Sequence, residues 1–509
     1  MTRSGSKHRS YWIDSTPAPG FPALQASQTV DVAIIGAGIT GLTAAILLKR
    51  AGKTVAVLEA RRVVSGVTGH TTAKITSSHG LIYHDLIEQY GDEAARLYAE
   101  SNQAAIERIA AFVEEESIAC QFQRESNYLY SESEQDLSRI QAEVSAAQKL
   151  GLPAAFADQL ALPFPVAGAV RFDRQAEFHP RQYLLPLAKA IPGGGSHLFE
   201  ETRVLDVEEG DPCQVKTDRE AVTARDVIVA THIPIVDPGR LYTKVHPYRS
   251  YVLAARIDQS QAPAGMFVST EQPSHTLRTA PYGDDVLMIV AGEGHRVGEE
   301  PNTEQRYQRL QEWISSRFTT KSFEYYWSTQ DYYPVDRIPY IGCLDEDSEH
   351  LYGATGFQGW GLTTGTLAGM LLSDAILGIA NPWADLYAAD RPLKPRLAAA
   401  KTFLQENVDV AGHWVRDHLP GKPERTVADL AAGQGGLVSI EGEEVAAYRD
   451  EQGTVHSFSP KCTHLGCNVS WNTAEQSWDC PCHGSRFNLD GTVIHGPAVQ
   501  DLQRKELPE

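Results

Sequence analysis

The segment that most restricts the fold is VDVAIIGAGITGLTAAILLKRAGKTVAVLEA, residues 30–60. It opens with a short apolar run rich in β-branched side chains, which is typical of a buried parallel strand. The pattern G-x-G-x-x-G follows at Gly36, Gly38 and Gly41. The next residues predict a helix, and KTVAVLE predicts a second strand that stops on Glu59. The segment therefore predicts a strand–helix–strand unit of an α/β fold.

Each of these positions has a role in holding a dinucleotide. Gly36 permits a tight turn, Gly38 lets backbone N–H groups approach a pyrophosphate, and Gly41 allows the helix to pack closely on the strand. The helix N-terminus supplies a positive dipole, and Glu59 can accept hydrogen bonds from a ribose. The residues of this segment that we predict at the dinucleotide are Gly36, Gly38, Ile39, Thr40, Gly41, Glu59, Ala60 and Arg61.

Length and composition bound the class of protein. The chain has 509 residues, of which 42% are hydrophobic and 22% charged, and such a length predicts roughly two to four globular folding units. We find no apolar run of about 18 residues and no apolar stretch after the basic N-terminus, so neither a membrane span nor a secretory signal is predicted. A cytoplasmic location is expected. A net charge of −20 argues against a nucleic-acid partner, because phosphates are held mainly by Lys and Arg.

A dense cluster of metal-ligand side chains lies near the C-terminus, in CTHLGCNVSWNTAEQSWDCPCHGS at residues 462–485. Cys462 and His464 are spaced C-x-H, and Cys480 and His483 are spaced C-x-x-H. A zinc ribbon would carry C-x-x-C knuckles. Cysteines and histidines divided in this way match a Rieske [2Fe–2S] centre, in which thiolates hold one iron and imidazoles the other. The spacing thus predicts these side chains as metal ligands.

The same stretch resembles the Rieske protein of cytochrome bc-type complexes, over about residues 425–509. The resemblance implies that Cys467 and Cys482 form a disulfide between the two cluster loops. In high-potential members of that family a serine and a tyrosine hydroxyl donate to cluster sulfurs; here Ser485 is present, but Phe487 stands at the tyrosine position. We therefore expect a reduction potential below the top of the Rieske range of about −150 to +300 mV.

The later chain indicates which dinucleotide is bound. Residues 336–378, DRIPYIGCLDEDSEHLYGATGFQGWGLTTGTLAGMLLSDAILG, resemble the C-terminal flavin motif of the glycine oxidase/D-amino-acid oxidase family. The resemblance covers about residues 30–395. It implies FAD as the cofactor and a helix that begins near Thr363 and directs its positive end at the flavin. The further cofactor residues that we place by this resemblance, and by the strand that ends at Thr231, are Val204, Thr231, Gly356, Gly359, Trp360, Gly361, Leu362 and Thr363.

The segment SGVTGHTTAKIT after Glu59 allows two interpretations of His70. Its pattern G-x-T-x-H resembles the dimethylglycine and sarcosine dehydrogenase branch, whose histidine is linked covalently to FAD. The chain departs from that branch directly after the histidine, and a non-covalent histidine packed over the flavin or diphosphate is the alternative. Thr71 and Lys74 are predicted at the cofactor as well. Lys74 is either a cation near the ring or phosphates, or a solvated lysine.

The middle of the chain says less about the substrate. Residues 80–170 carry helical patterns, and YRSYVLAARI and TLRTAPYGDDVLMIVAGEG predict strands with alternating polar residues. In the glycine oxidase family such segments form an antiparallel sheet over the flavin and build the substrate pocket. Candidates for a carboxylate clamp are Arg249, Tyr251 and Arg278. The alternative for them is a polar sheet face, and the same two interpretations hold for His79, His246 and His295.

These patterns together predict three folded parts. They are an α/β FAD-binding domain of the Rossmann-like, glutathione-reductase type, an interleaved α+β substrate domain, and a small all-β C-terminal Rieske domain. The predicted boundaries are 1–29 for an N-terminal extension, 30–80, 170–235 and 336–395 for the FAD-binding domain, 81–169 and 236–335 for the substrate domain, 396–424 for a linker helix and 425–509 for the Rieske domain.

The predicted linker contains a motif that imitates the mononuclear-iron site of Rieske oxygenases. In ENVDVAGHWVRDH, His413 and His418 are spaced H-x4-H. The motif precedes the Rieske domain instead of following it, and no third carboxylate ligand is evident. Side chains five residues apart on a helix also diverge by about 140°. We therefore interpret the segment as a linker helix.

The prediction is a two-cofactor dehydrogenase. A single dinucleotide fingerprint indicates that electrons enter from an organic substrate, expected to be an amine or amino acid oxidised at the C–H beside nitrogen. The Rieske cluster would pass them singly to an unknown acceptor, protein or quinone-like. The alternatives are a Rieske-type oxygenase, an electron-transfer module for a partner enzyme, and an enzyme of modified tRNA amines, which the net charge disfavours.

Overall fold

A computed structural model describes residues 6–17, 19–300, 302–391, 404, 406–410, 412 and 425–506. Most of the predicted linker helix, including His413 and His418, lies outside the described residues. Within the described ranges, none of the helices combines the length and the apolar composition that a membrane crossing requires.

The strands of the described residues make up two large sheets and two small ones. In chain order they are β1 Lys7–His8, β2 Gln28–Ile35, β3 Val55–Leu58, β4 Lys74–Ile75, β5 Gln123–Ser131, β6 Ala154–Ala157, β7 Gly168–Glu177, β8 His197–Phe199, β9 Val204–Glu208, β10 Cys213–Thr217, β11 Val222–Val229, β12 Val245–Ile257, β13 Met266–Ser269, β14 Thr276–Tyr282, β15 Asp285–Arg296, β16 Ser322–Pro334, β17 Tyr340–Cys343, β18 Leu351–Thr355, β19 Gln434–Ile440, β20 Glu443–Arg449, β21 Val455–Phe458, β22 Ser470–Asn472, β23 Ser477–Asp479, β24 Arg486–Phe487 and β25 Val493–His495.

The α-helices of the described residues all precede the Rieske part of the chain. Those with both ends described are α1 Tyr11–Asp14, α2 Ile39–Arg50, α3 Tyr83–Tyr90, α4 Asp92–Glu115, α5 Leu137–Lys149, α6 Pro180–Lys189, α7 Glu304–Arg317, α8 Gly361–Leu377 and α9 Ala384–Tyr387. Residues 406–410 are helical as well.

The glycine-rich segment belongs to an eight-stranded sheet with a parallel centre. Its order is β17-β18-β11-β2-β3-β8, and β9 and β10 extend it beside β11. Strand β2 pairs in parallel with β3 and with β11. The apolar residues Val32–Ile35 are buried, as a strand covered on both faces requires. The predicted α/β FAD-binding fold is therefore confirmed.

Helices α2 and α8 pack against each other beside this sheet. A Cβ atom on Gly369 of α8 would lie 2.7 Å from Cβ of Thr43 on α2, so the two helices can approach this closely only because residue 369 is a glycine. Helix α8 begins at Gly361, two residues before the predicted start near Thr363. Thr363 itself is buried, and its Oγ1 accepts a hydrogen bond from the backbone N–H of Thr76.

The second large sheet has ten strands in the order β1-β16-β12-β15-β14-β13-β5-β7-β4, with β6 beside β7. The long strands β12, β14, β15 and β16 pair with one another in antiparallel fashion, whereas the short β1 pairs in parallel with β16. The segments of this sheet alternate along the chain with those of the parallel sheet, as predicted. Residues of the predicted N-terminal extension join it, because β1 pairs with β16 and Trp12 is buried.

The C-terminal part contains no α-helix among residues 425–506, and it forms two small antiparallel sheets. Strands β19, β20 and β21 make one, and β22 to β25 make the other. Phe458, Trp478 and Phe487 are buried in a core between them, together with the cysteines of the two cluster loops. The all-β C-terminal domain is therefore confirmed.

Candidate functional site

One cavity of about 600 Å³ runs between the two large sheets. We call its two halves the dinucleotide end and the sheet end. The dinucleotide end is lined by residues of the β2–α2 turn, Glu59 and Val204, and the sheet end by side chains of β12, β14 and β16. Residues of β25, including Val493 and His495, also line it. The C-terminal domain thus contributes to the wall of the same cavity.

The β2–α2 turn leaves room for a bulky charged group because two glycines keep it tight. Gly36 has φ +106°, and a Cβ atom there would lie 2.6 Å from the carbonyl oxygen of Ala230. A Cβ atom on Gly41 would lie 2.0 Å from the carbonyl oxygen of Gly36. Only glycine fits at either position, and the N-terminus of α2 therefore faces the cavity at close range.

Glu59 lies where an acid at the end of the second strand is expected. Its Oε2 accepts a hydrogen bond from the backbone N–H of Ala37 at 3.0 Å, and its Oε1 accepts one from that of Arg61 at 2.9 Å. The carboxylate is therefore fixed beside the glycine turn and lines the cavity. This arrangement fits the ribose of a dinucleotide whose pyrophosphate lies at α2.

Most of the predicted cofactor residues line this cavity. They are Gly36, Gly38, Ile39, Thr40, Glu59, Ala60, Arg61, Thr71, Lys74, Val204, Thr231, Gly359, Trp360, Gly361 and Leu362. Gly41 and Thr363 lie behind the wall, where each supports an element that lines it. Gly356 has φ +82°, and a Cβ atom there would lie 3.3 Å from Cβ of Pro334.

His70 is not among the lining residues. Its Nδ1 lies 2.8 Å from the carbonyl oxygen of Gly66, and its own carbonyl oxygen accepts a hydrogen bond from Trp327. The ring is therefore held by its own loop and lies outside the cavity. Neither interpretation of His70 as a cofactor contact is supported by this placement.

Two side chains define the middle of the cavity. Trp360 lines it and is stacked on the buried ring of His79, with 5.1 Å between ring centroids. His79 is bonded to Tyr98 and to the carbonyl oxygen of Thr76, so it holds Trp360 without reaching the cavity. Lys74 lines the cavity directly. Burial, reinforced by the guanidinium of Arg278 and opposed by the carboxylate of Glu177, lowers the pKa of Lys74 to about 7.

The predicted carboxylate clamp must be corrected, because Arg249, Tyr251 and Arg278 do not line the cavity. Alternate residues of a strand point to opposite faces of a sheet. On β12 the residues on the cavity side are His246, Tyr248 and Ser250, so the odd-numbered residues point away. Arg278 is satisfied elsewhere, since its guanidinium donates to the carbonyl oxygens of Ala73, Phe178 and Thr279. Of the three histidine candidates, only His246 lines the cavity.

The ten-stranded sheet therefore has two functional faces. Its cavity face is formed by His246, Tyr248, Ser250, Thr329, Asp331 and Tyr333. Its opposite face, which we call the cluster face, is formed by Arg249, Tyr251, Ser328, Gln330 and Tyr332. The register supports this division, because Ser250 pairs with Thr329 and Arg249 pairs with Gln330 across β12 and β16.

The cluster face contacts the loop that carries Cys480 and His483. The hydroxyl of Tyr332 donates to the carbonyl oxygen of His483 at 3.0 Å, and Nε2 of Gln330 donates to that of Gly484 at 2.8 Å. The contact is close, since a Cβ atom on Gly484 would lie 2.7 Å from Cβ of Pro247. Two strands thus separate the cavity from the cluster loop.

The two cluster loops have matching backbone geometry. In the first loop, the backbone N–H of Gly466 donates a hydrogen bond to the carbonyl oxygen of Cys462. In the second loop, the backbone N–H of Gly484 donates to the carbonyl oxygen of Cys480 in the same way. The thiols of Cys462 and Cys480 are buried and within hydrogen-bond reach of each other. These thiols stand in for the thiolates that would hold an iron. The predicted disulfide between Cys467 and Cys482 is confirmed.

The histidines of the loops fit a metal site. Nδ1 of His464 is buried and has no hydrogen-bond partner in the described part of the chain. A buried ring nitrogen without a partner is expected where that nitrogen binds a metal ion. The rings of His464 and His483 are 5.0 Å apart between centroids. Tyr242 packs edge-on against both, with 5.3 and 4.8 Å between centroids. The histidine side of the cluster loops is therefore covered by the flavoprotein part of the chain.

Three residues that the sequence did not reveal connect the flavoprotein part of the site with the C-terminal domain. Nε2 of His232 lies 2.8 Å from Oδ1 of Asp331, and Nδ1 of His232 lies 3.3 Å from Nε2 of His495 on β25. Oδ2 of Asp331 accepts a hydrogen bond from the backbone N–H of Gly359. His232 has φ +73°, a conformation that surrounding contacts must hold. A sequence signal exists only for His232, which directly follows the predicted strand end at Thr231.

Phe487 is fully buried in the core that surrounds the cluster cysteines. It offers no donor, whereas the hydroxyl oxygen of Ser485 lies at hydrogen-bond distance from the N–H of Ala498. We expect Phe487→Tyr to raise the cluster potential by about 60–130 mV, the equivalent of one hydrogen bond to a charged group in a one-electron couple. The cluster potential of each variant is measured by a redox titration that is followed by EPR. Phe487→Leu is the control, and a tyrosine variant that shifts no further than the leucine variant would contradict the assignment.

Comparison with known proteins identifies both parts of the chain. Residues 31–375 match the FAD dependent oxidoreductase (DAO) family, and residues 423–506 match the Rieske [2Fe-2S] domain. The Bacillus subtilis (strain 168) protein YhfW, named as a Rieske 2Fe-2S iron-sulfur protein, is 39% identical over 500 residues, which is 98% of this chain and 97% of that protein. Gamma-glutamylputrescine oxidoreductase of Escherichia coli (strain K12) is 25% identical over 71% of this chain and 87% of its own.

A solved structure shows the same fold. Glycine oxidase from Geobacillus kaustophilus aligns with a TM-score of 0.58 and 16% identity, over 72% of this chain and the whole of that one. At this identity the likeness establishes the fold of the flavoprotein part alone. With the family matches, it accounts for FAD and a Rieske [2Fe–2S] cluster as the two cofactors.

Proposed function

The chain belongs to the FAD dependent oxidoreductase family and carries a Rieske [2Fe–2S] domain in the same polypeptide, and from this premise we propose that it is an amine dehydrogenase whose own cluster is the first electron acceptor. When bound, FAD takes a hydride from the carbon beside an amine nitrogen, and the cluster carries single electrons to an external acceptor, a protein or a quinone-like molecule. The names of two relatives, a gamma-glutamylputrescine oxidoreductase and a glycine oxidase, support a substrate with a C–N bond.

The observation that carries this proposal is the position of the cluster loop. Strands β12 and β16 present alternate side chains to the cavity and to the loop of Cys480 and His483. Side chains on each face of a sheet fill about half of the roughly 10 Å between stacked layers. The loop and the cavity are thus separated by a single sheet layer. Such a short separation favours electron transfer within the chain.

The ligand set that we propose is Cys462, His464, Cys480 and His483. The buried thiols support it, as does Nδ1 of His464, which has no hydrogen-bond partner among the described residues. Tyr242 packs on the two histidine rings and covers part of that side of the cluster loops, which hinders the approach of an external acceptor from there. We therefore propose that electrons from the flavin enter the cluster on its histidine side and that the external acceptor takes them from another side.

Lys74 is the residue that we propose as the proton acceptor. Its Nζ lies in the cavity, 3.3 Å from Oγ1 of Thr72, and its pKa of about 7 leaves much of it neutral at physiological pH. A neutral amine can take the proton that the substrate nitrogen gives up, which is the task of a general base. Arg278 and Glu177 are the charged groups that act on it, and both are buried.

The pH dependence of flavin reduction tests this role. Below pH 7 Lys74 is a cation, which cannot accept a proton and repels an ammonium substrate. Above pH 7 it is neutral, so the rate of anaerobic flavin reduction is expected to rise with pH through about 7. Lys74→Met is expected to lose this limb and about 100-fold of the rate. Stopped-flow absorbance measures both. The exposed Lys189, changed to Met, is the control, and an unchanged pH profile in Lys74→Met would refute the role.

An anaerobic screen of amines and amino acids tests the proposed function. At least one compound is expected to bleach the flavin absorbance and then to produce the EPR signal of the reduced cluster. A flavin that no small amine reduces would favour an electron-transfer module for a partner enzyme. More than about two irons per chain would favour a Rieske oxygenase, whose mononuclear site adds to the cluster.

A further inference from the structure

The sheet end of the cavity differs in charge from the dinucleotide end. The guanidinium groups among the lining residues are those of Arg61 and Arg203. Arg61 follows Glu59 at the dinucleotide end, and Arg203 donates to the carbonyl oxygen of Val493 next to Val204. Both lie where the dinucleotide is expected. Among the residues that the structure describes, those that line the sheet end include neither arginine nor lysine.

Three basic side chains of the cavity wall have lowered pKa values. Burial, with a contribution from Arg296, lowers the pKa of His246 to about 4. Burial, with His232 and several arginines adding to it, lowers the pKa of His495 well below its ordinary value. Lys74 titrates at about 7. At neutral pH His246 and His495 are therefore uncharged, whereas Lys74 is about half protonated, so none of the three offers a full positive charge to a carboxylate in this part of the cavity.

Asp331 is the acidic residue of the sheet end. Its side chain is 13% exposed and faces the cavity between Thr329 and Tyr333. A carboxylate has about four acceptor positions. Three are used, by the N–H groups of Tyr332 and Gly359 and by Nε2 of His232. One acceptor position therefore remains for a donor that enters the cavity.

Aromatic rings complete the surroundings of this carboxylate. Tyr248 and Tyr333 both line the sheet end, with 5.2 Å between their ring centroids. Faces of aromatic rings attract cations, and a carboxylate beside them strengthens that attraction. The combination suits an ammonium group and contains no positive charge that could pair with a carboxylate.

We infer that the cavity accepts a cationic amine without a carboxylate beside the reacting nitrogen, and that Asp331 is the side chain that selects it. The inference rests on the proposed function and narrows its substrate to amines as opposed to α-amino acids. An α-carboxylate would be buried without a cationic partner and would face Asp331, and both effects oppose binding. The ammonium would sit between Asp331 and the two tyrosines, within the same cavity as Lys74.

Matched pairs that differ only in the α-carboxylate test this inference. Suitable pairs are phenethylamine and phenylalanine, tyramine and tyrosine, putrescine and ornithine, and agmatine and arginine. Binding is measured as perturbation of the oxidised flavin spectrum of the holoenzyme, and chemistry as anaerobic bleaching. We expect the tightest-binding amine to bind at least about 100-fold more tightly than its amino acid, as where like charges are juxtaposed. Equal or tighter binding of the amino acids, or no binding of any amine, would overturn the inference.

Asp331→Asn keeps the size of the side chain and removes its charge. It is expected to weaken amine binding at least about tenfold and to narrow the gap within each pair. Asp285→Asn is the control, because Asp285 lies on the same sheet but pairs with Arg256 and Lys321 outside the cavity. An unchanged gap in Asp331→Asn would contradict the assignment.

The failure of this inference can be told from the failure of the proposed function. If amino acids bleach the flavin as well as their amines do, the function stands and the selectivity is wrong. If nothing bleaches the flavin, the proposed function fails, and the binding order of the wild-type protein still decides the inference. The binding comparison needs no variant, so it does not depend on the folding of Asp331→Asn.

Discussion

Cys480→Ala is expected to abolish the [2Fe–2S] cluster while amine still reduces the flavin. Cys480 is buried on the loop that contacts Gln330 and Tyr332, and its thiol lies within reach of Cys462. Removing a ligand should cost more than the roughly 10- to 100-fold loss that follows removal of an outer-shell partner. The EPR signal and the steady-state reduction of an external acceptor should therefore disappear, whereas anaerobic flavin bleaching should persist.

The matched control for this variant is Cys343→Ala. Cys343 is a free, partly buried cysteine on β17, away from the cluster loops. It should keep its iron, its EPR signal and its acceptor activity. Circular dichroism shows whether each variant is folded. If Cys480→Ala transfers electrons to the acceptor as fast as the wild type, the cluster is not on the route and the proposed function is wrong.

Gly41→Ala is expected to release FAD from the protein. The added Cβ atom would lie 2.0 Å from the carbonyl oxygen of Gly36, and backbone cannot move aside as a flexible side chain can. Overpacking costs about 1–3 kcal/mol in general, and the upper value equals a loss of about 150-fold in FAD affinity. The measurement is the flavin content of the purified protein and the dissociation constant for added FAD.

A second readout follows from linkage between binding and folding. A ligand that binds only the folded state stabilises it, so Gly41→Ala should also melt at a lower temperature than the wild type. Gly20→Ala is the control, because a Cβ atom at Gly20 would meet nothing within 4 Å. Retention of FAD in Gly41→Ala with unchanged affinity would show that the β2–α2 turn does not approach the cofactor.

The parts of the fold that could be predicted are those encoded in local patterns. The run before Gly36, the glycine spacing and Glu59 specify one strand–helix–strand unit, and the structure places β2, α2 and β3 there. The ligand spacing of the cluster loops is likewise contained in one short stretch of sequence. Its resemblance to the Rieske protein of cytochrome bc-type complexes implies the disulfide between Cys467 and Cys482, which the structure contains. Local chemistry with fixed spacing is readable because few other structures satisfy it.

The substrate pocket could not be predicted because it depends on strand register. The sequence offers Arg249 either as part of a carboxylate clamp or as part of a polar sheet face; on β12 it shares a face with Tyr251, and that face meets the cluster loop. A shift of one residue would have exchanged the two faces. The sequence pattern YRSYVLAARI alternates polar and apolar residues without stating which face is covered by the C-terminal domain.

The junction between the two cofactor sites was also hidden. His232 contacts Asp331, which is 99 residues away along the chain, and His495, which is 263 residues away. Their meeting depends on how the C-terminal domain docks on the ten-stranded sheet. Tyr332 lies 151 residues from His483, whose carbonyl oxygen it contacts, and Tyr242 is still more distant in sequence from that histidine. Long-range pairs of this kind leave no trace in a single sequence.

The most direct test of the account is a single-turnover experiment on the wild-type holoenzyme. The protein is mixed anaerobically with the best amine of the screen, flavin absorbance is followed by stopped flow, and the cluster is followed by freeze-quench EPR. The account predicts that the flavin bleaches first and that the cluster is reduced afterwards, at a rate that does not change with protein concentration. A cluster that stays oxidised, or one whose reduction rate scales with protein concentration, would contradict electron transfer within the chain.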